Sequence, residues 1–147
     1  MSNHSAAVVS LIVAMFFGGL PLAVASEITV YKSVTCGCCN NWIAHMKQNG
    51  FTVKAVNVAD PVSYKTRYGV PLNLASCHTA LVEGYVIEGH VPAADIKRLL
   101  KQRTKVSGLI VPGMPDGSPG MEQGNPPVPY DVLSFDNRGK VMVYSRH

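Results

Sequence analysis

Apolar and polar positions repeat with two periods along this chain, and the switches between them predict its elements. Ile28 to Lys32 alternates with the period of two of a half-buried strand. Asn40 to Asn49 changes to helical spacing, with Trp42 and Met46 four apart on one face and Gly50 placed to end the helix. Phe51 to Val58 returns to a strand. Asp60-Pro61 is an N-cap followed by proline at the first helical position, and it opens a short helix that Gly69 closes. Thr79 to Val82 and Tyr85 to Glu88 are two strands joined by Glu83-Gly84, a hairpin signal. Pro92 then starts a third helix that buries Ile96, Leu99 and Leu100.

The predicted order is β-α-β-α-β-β-α, an α/β arrangement that is the order of the thioredoxin fold. After it, Ile110 to Pro129 is dense in glycine and proline and reads as an irregular loop. Tyr130 to Phe135 and Lys140 to Tyr144, joined by Asp136-Asn137-Arg138-Gly139, predict a C-terminal hairpin added to the basic fold. No internal repeat, second domain or phosphate-binding glycine loop is visible in the sequence.

Composition changes this picture at the N-terminus. Ala6 to Leu20 is an apolar run too short for a comfortable membrane span, and Ala23-Val24-Ala25 offers a small-residue cleavage site. Residues 1–25 therefore read as a secretory signal, although its n-region carries no Lys or Arg. Residues 26–147 form a single domain, exported and not stably inserted in the membrane. The net charge of +4 stays with that domain. Part of it is Lys97, Arg98, Lys101, Arg103 and Lys105, which complement the dipole of a helix end. No aromatic or glycine-rich motif accompanies them, so a nucleic-acid partner is not expected.

The chemistry lies in Cys36-Gly37-Cys38-Cys39, with the fourth cysteine, Cys77, far downstream beside His78. Three thiols in four residues are not explained by packing. They fall between the first strand and first helix, where free N–H groups and the dipole favour thiolate. The predicted fold brings the loop before the third strand, and with it Cys77-His78, against that helix start. A bond among Cys36, Cys38 and Cys39 would close almost no loop, so only Cys77 is able to staple the fold. Adjacent Cys38 and Cys39 grip one ion poorly and more readily serve different ions. Four convergent thiolates thus suggest several Cu(I) ions bridged by sulfur. A zinc site from Cys36, Cys39, Cys77 and His78 is a rival that leaves Cys38 unused. Dithiol redox chemistry is a second rival, since Cys36 to Cys39 is a C-x-x-C at a helix start. Against it, the position facing the sulfurs before the third strand is His78, where thioredoxin-like oxidoreductases carry a cis-proline.

Other side chains are ranked around this cluster. His78 is evenly balanced between a role at the metal and a loop hydrogen bond. His90, in Glu88-Gly89-His90-Val91-Pro92, reads as a turn residue, His45 as an exposed helix residue and His147 as a tail. Met46 belongs to the core. Met114 and Met121, each after a glycine, read as loop residues capping the core, with thioether ligation as the other possibility.

Four blocks in order carry a resemblance: Cys36–Cys39, Ser76–Ala80, Gly84–Ala93 and Pro112–Glu122. The chain resembles the CopG-type family of exported bacterial metal-binding proteins, associated with copper resistance. The resemblance implies a thioredoxin-like fold, a periplasmic setting and copper held by Cys36, Cys38, Cys39 and Cys77. The sequence thus reads as a periplasmic copper-binding protein that sequesters or handles Cu(I), possessing other periplasmic copper-handling proteins as partners. The alternative is a thiol–disulfide or copper-redox oxidoreductase using the same cysteines. A disulfide-stapled interaction module is the third class.

Overall fold

A computed structural model describes residues 25–147, so the signal segment expected over 1–25 lies outside the described residues except for Ala25. The first elements are β1 (Glu27–Lys32), α1 (Gly37–Gln48), β2 (Thr52–Asn57) and α2 (Pro61–Arg67). A 3-10 turn at Leu72–Leu74 leads into β3 (Thr79–Val82), β4 (Tyr85–Glu88) and α3 (Ala93–Gln102). Then come β5 (Gly108–Ile110), β6 (Asp131–Phe135) and β7 (Val141–Arg146). The first seven helices and strands follow the predicted order. α1 starts earlier than its apolar spacing indicates, because the cysteines themselves form its first turn.

The seven strands of the described residues lie in one sheet, ordered β2-β1-β3-β4-β5-β6-β7. β1 pairs β2 in parallel, β3 runs antiparallel to both β1 and β4, and β5 is parallel to β4 through α3. The strand β5 was not legible in the sequence. It is three residues long, too short to show a period, and it begins at a glycine. A Cβ at Gly108 would run into the Val86 backbone, so the close strand approach depends on its absence. Through β5 the C-terminal hairpin continues the same sheet rather than standing beside it.

Strand alternation sorts side chains between two faces. Ile28, Val30, Ala80, Val82, Ile87 and Leu109 point to the main core, where α1 supplies Trp42, Ile43 and Met46 and α3 supplies Ile96 and Leu99. Val86, Ile110 and Phe135 point the other way, towards Val70 and Leu74 of the segment after α2. Burying a row of such side chains, at about 1.5–3 kcal/mol each, fixes the register, since a one-residue slip would exchange the faces. The result holds the C-terminal end of β1, the start of α1 and the entry to β3 side by side.

Candidate metal centre

The turn after β1 is closed by the Cys36 amide donating to the Ser33 carbonyl at 3.2 Å. Cys36 itself is the N-cap of α1, extended at φ −76°, with no side-chain cap bond. Helical geometry from Gly37 then stacks Cys38 and Cys39 on the first turn. On the facing loop, a buried carboxylate fixes the approach of Cys77. Glu88, fully buried at the end of β4, accepts from the Ser76 amide and from the Lys65 ammonium, each at 2.7 Å. Its other oxygen accepts from the Thr79 hydroxyl at 2.7 Å. Burial raises the Glu88 carboxyl above its ordinary value, against the pull of Lys65 and the three donors. The Ser76 hydroxyl also donates to the Gly113 carbonyl, tying this loop to the glycine- and proline-rich segment.

The four sulfurs meet as the sequence predicts. Cys77 Sγ lies 3.8 Å from that of Cys38 and 3.6 Å from that of Cys39, while Cys36 and Cys38 are 3.5 Å apart. One donor atom from each of the four falls within 4.8 Å of every other. Cys36 and Cys39 are joined by a disulfide with Cα atoms 5.4 Å apart, leaving Cys38 and Cys77 free. This corrects the stapling alternative, because Cys77 is in no disulfide and the bond present closes only the short helix-start loop.

The histidines are more involved than their sequence context indicates. Both His78 and His90 are fully buried. His90 Nδ1 lies 2.8 Å from the Pro119 carbonyl, an acceptor only, so the proton sits on Nδ1. That leaves a lone pair on Nε2, which faces Cys77 Sγ at 3.0 Å and accepts from its thiol. His78 Nδ1 is 3.2 Å from the same sulfur, and its buried Nε2 has no hydrogen-bond partner among the described residues. Cys77, His78 and His90 thus form a second group of donors that shares Cys77 with the first. Nothing in the Gly89-His90-Val91 turn betrays this. The only signal available was that His90 follows a strand paired to the one Cys77-His78 enters.

Electrostatics here favour neutral groups until something binds. Burial, then the neighbouring Cys38 and its hydrogen bond, pushes the Cys77 thiol up to about 12. The expected easy thiolate therefore does not extend to this cysteine, which is a loop residue away from the helix dipole. Burial also holds His78 well below the usual imidazole range, helped by His90, Lys65 and Lys32, and lowers His90. A soft cation suits this site: the imidazoles of His78 and His90 are neutral beside Cys77, and each thiol gives up its proton on binding.

Several other readings are corrected. His45 is half-buried on α1, and its Nε2 accepts from the Ala93 amide at 3.2 Å, capping the start of α3. His147 is no loose tail: it lies 2.8 Å from the buried Asp95 carboxylate and stacks on Tyr130. Met46 and Met121 are buried as expected, whereas Met114 is exposed and caps no core. Trp42 packs tilted against His78, at 4.5 Å between ring centres, and donates to the Val91 carbonyl at 2.9 Å, forming the inner wall of the site.

Residues 74–121 match the family model described as a protein of unknown function, DUF411, a span that holds Cys77, His78 and His90 but not Cys36–Cys39. No curated protein matches the chain. Among solved structures, "Copper resistance protein copG- Form 2" is 43% identical with a TM-score of 0.80, and the match covers 84% of this chain and 99% of that one. "Copper resistance protein copG- Form 1" is likewise 43% identical, with a TM-score of 0.79, over 84% of this chain and 98% of the other. At this identity over most of both chains, the chain belongs to the CopG family.

Proposed function

We propose that this protein binds copper in copper resistance, holding Cu(I) as a polynuclear thiolate site built from Cys36, Cys38, Cys39 and Cys77. The observation that supports it is the meeting of four sulfurs from two separate segments within 4.8 Å, in a relative of copper resistance proteins. His90 Nε2 and His78 Nδ1, 3.0 and 3.2 Å from Cys77 Sγ, are the ring nitrogens nearest that site. The protein works in the periplasm after loss of residues 1–25, with a thioredoxin-like domain, and exchanges copper with other periplasmic copper-handling proteins. Among the described residues no helix is long and apolar enough to cross a membrane.

Binding is coupled to protons and electrons on the chain's own residues. Opening the Cys36–Cys39 disulfide takes two electrons and two protons from a dithiol reductant, which closes its own disulfide, and supplies two of the four sulfurs. Cys77 gives up its thiol proton to solvent as copper binds, which leaves the His90 Nε2 lone pair free.

The disulfide favours a second reading, a copper-redox oxidoreductase. In that reaction two Cu(II) ions each accept one electron while the Cys36 and Cys39 thiols close their disulfide and release two protons. Anaerobic titration of reduced protein, followed by native mass spectrometry, tests the binding reading. More than one Cu(I) per chain is expected; saturation at one copper, or preference for a single zinc, overturns it. Catalytic disulfide formation with turnover of Cu(II) would promote the second reading.

A further inference from the structure

Two ring nitrogens touch the Cys77 sulfur, and the protons available to them give each a different task. His90 Nε2 lies 3.0 Å from Sγ and His78 Nδ1 lies 3.2 Å from it. A thiol carries a single proton and donates it in one direction at a time. His90 keeps its own proton on Nδ1, where the Pro119 carbonyl accepts it at 2.8 Å, so its Nε2 brings only a lone pair to the sulfur. The Cys77 S–H therefore points at His90.

That assignment decides the tautomer of His78. Its ring is fully buried, tilted against Trp42 at 4.5 Å and edge-on to His90 at 5.2 Å between centres. With the proton on Nε2, the lone pairs of His78 Nδ1 and His90 Nε2 would compete for the same S–H. The buried Nε2–H would also find no acceptor among the described residues. With the proton on Nδ1, the ring donates to a sulfur lone pair, and only an Nε2 lone pair is left unmatched. An orphaned N–H is rarer in protein interiors than an unmatched acceptor. Both comparisons favour the Nδ1–H form.

We infer that His78 is the hydrogen-bond donor to the Cys77 sulfur and not a copper ligand, a positioning residue that orients the loop cysteine and stabilises its thiolate. Once Cys77 has lost its proton, His90 Nε2 no longer has anything to accept from it. The His78 Nδ1–H keeps its acceptor, and its bond to the sulfur becomes charge-assisted. The two histidines thus divide the work: His90 presents a lone pair beside Cys77, and His78 presents an N–H. The effect on copper rests on the proposed thiolate site, whereas the tautomer belongs to the metal-free protein.

Nitrogen-detected NMR of metal-free wild type, with the His78 signals identified by their loss in His78→Asn, should show a protonated Nδ1 and a bare Nε2. A protonated Nε2 overturns the inference without any variant having to fold. The asparagine side-chain nitrogen stands as many bonds from the backbone as Nδ1, so His78→Asn keeps the donor and His78→Leu removes it. By native mass spectrometry His78→Leu should fill with as many Cu(I) per chain as wild type. In competition with a chromophoric chelator it should hold them about tenfold more weakly, as loss of a charge-assisted bond requires, with His78→Asn within about threefold of wild type. A copper missing from His78→Leu would make His78 a ligand, and equal weakening of both variants would reduce its role to packing. Affinity unchanged in His78→Leu would leave the bond without effect. Any of these three results overturns the inference. Should wild type bind no Cu(I), the proposed function fails, and the tautomer alone decides the role of His78.

Discussion

The Glu88 carboxylate holds the Ser76 amide at 2.7 Å, one residue before Cys77, while the same oxygen accepts from the Lys65 ammonium. A buried ion pair on β4 and α2 thus sets where the loop cysteine stands. Glu88→Gln leaves Lys65 buried and unpaired and should cost about 3–5 kcal/mol in urea unfolding of the metal-free protein. Adding Lys65→Met should recover much of that loss. A cost below about 1 kcal/mol for the single variant would show that the pair does not hold the loop.

Acid should weaken the metal-free protein through its histidines. His45, His78 and His90 are all held below the ordinary imidazole value of 6.5, chiefly by burial. The unfolded chain therefore binds protons near pH 6.5 that the folded chain refuses. Stability is fully present above that pH and falls as pH drops towards the folded values, by about 1.4 kcal/mol per pH unit for each such group. Denaturant midpoints should decline between pH 7.5 and 5.5. A flat profile over that range would contradict the neutral, buried state of His78 and His90.

The Cys36–Cys39 disulfide spans four residues, for which the loop-entropy relation gives about 2 kcal/mol at most. Cys36→Ser should lower oxidised stability by no more than this. It also frees Cys39, whose sulfur already lies 3.6 Å from Cys77. Mild oxidation of the variant should then join Cys39 to Cys77, as read by peptide mapping. Persistence of both thiols would mean that the loop is held more rigidly than this contact implies. Cys77→Ser should leave metal-free stability nearly unchanged, because Cys77 staples nothing, yet it should sharply reduce Cu(I) capacity.

Element order and the meeting of Cys77 with the helix-start cysteines were legible because both follow from local signals. Apolar period, Asp60-Pro61, Gly50 and Gly69 fix the elements, and sheet order then fixes the neighbours. β5 was not legible, since three residues carry no period and its pairing depends on distant β4 and β6. His90 was missed for a related reason. Its buried lone pair exists only because Pro119, 29 residues on, accepts its other nitrogen. The Asp95–His147 contact is equally non-local, tying the C-terminus to α3 across the sheet. Sequence patterns report faces and turns; they do not report which distant carbonyl completes a side chain.

The loop after β5 owes its seat on the site to one glycine. Gly120 has φ +88°, and a Cβ there would meet the Trp42 amide nitrogen at 2.7 Å and the Cys38 carbonyl at 2.9 Å. Both neighbours are α1 backbone, which does not yield as a flexible side chain would. Gly120→Ala should therefore add overpacking, about 1–3 kcal/mol, to the left-handed strain of about 1–2 kcal/mol. Gly124 has φ +84° with open space around it, so Gly124→Ala should show the strain alone. The difference has a chemical consequence at the neighbouring Pro119, whose carbonyl fixes the His90 proton on Nδ1. Lifting the loop breaks that bond, and the imidazole becomes free to exchange tautomers. Nitrogen-detected NMR of the metal-free protein should show a single Nδ1–H form in wild type and Gly124→Ala, and a mixture in Gly120→Ala. Equal stability of the two variants, with His90 unaltered in both, would remove the loop from any part in shaping the site.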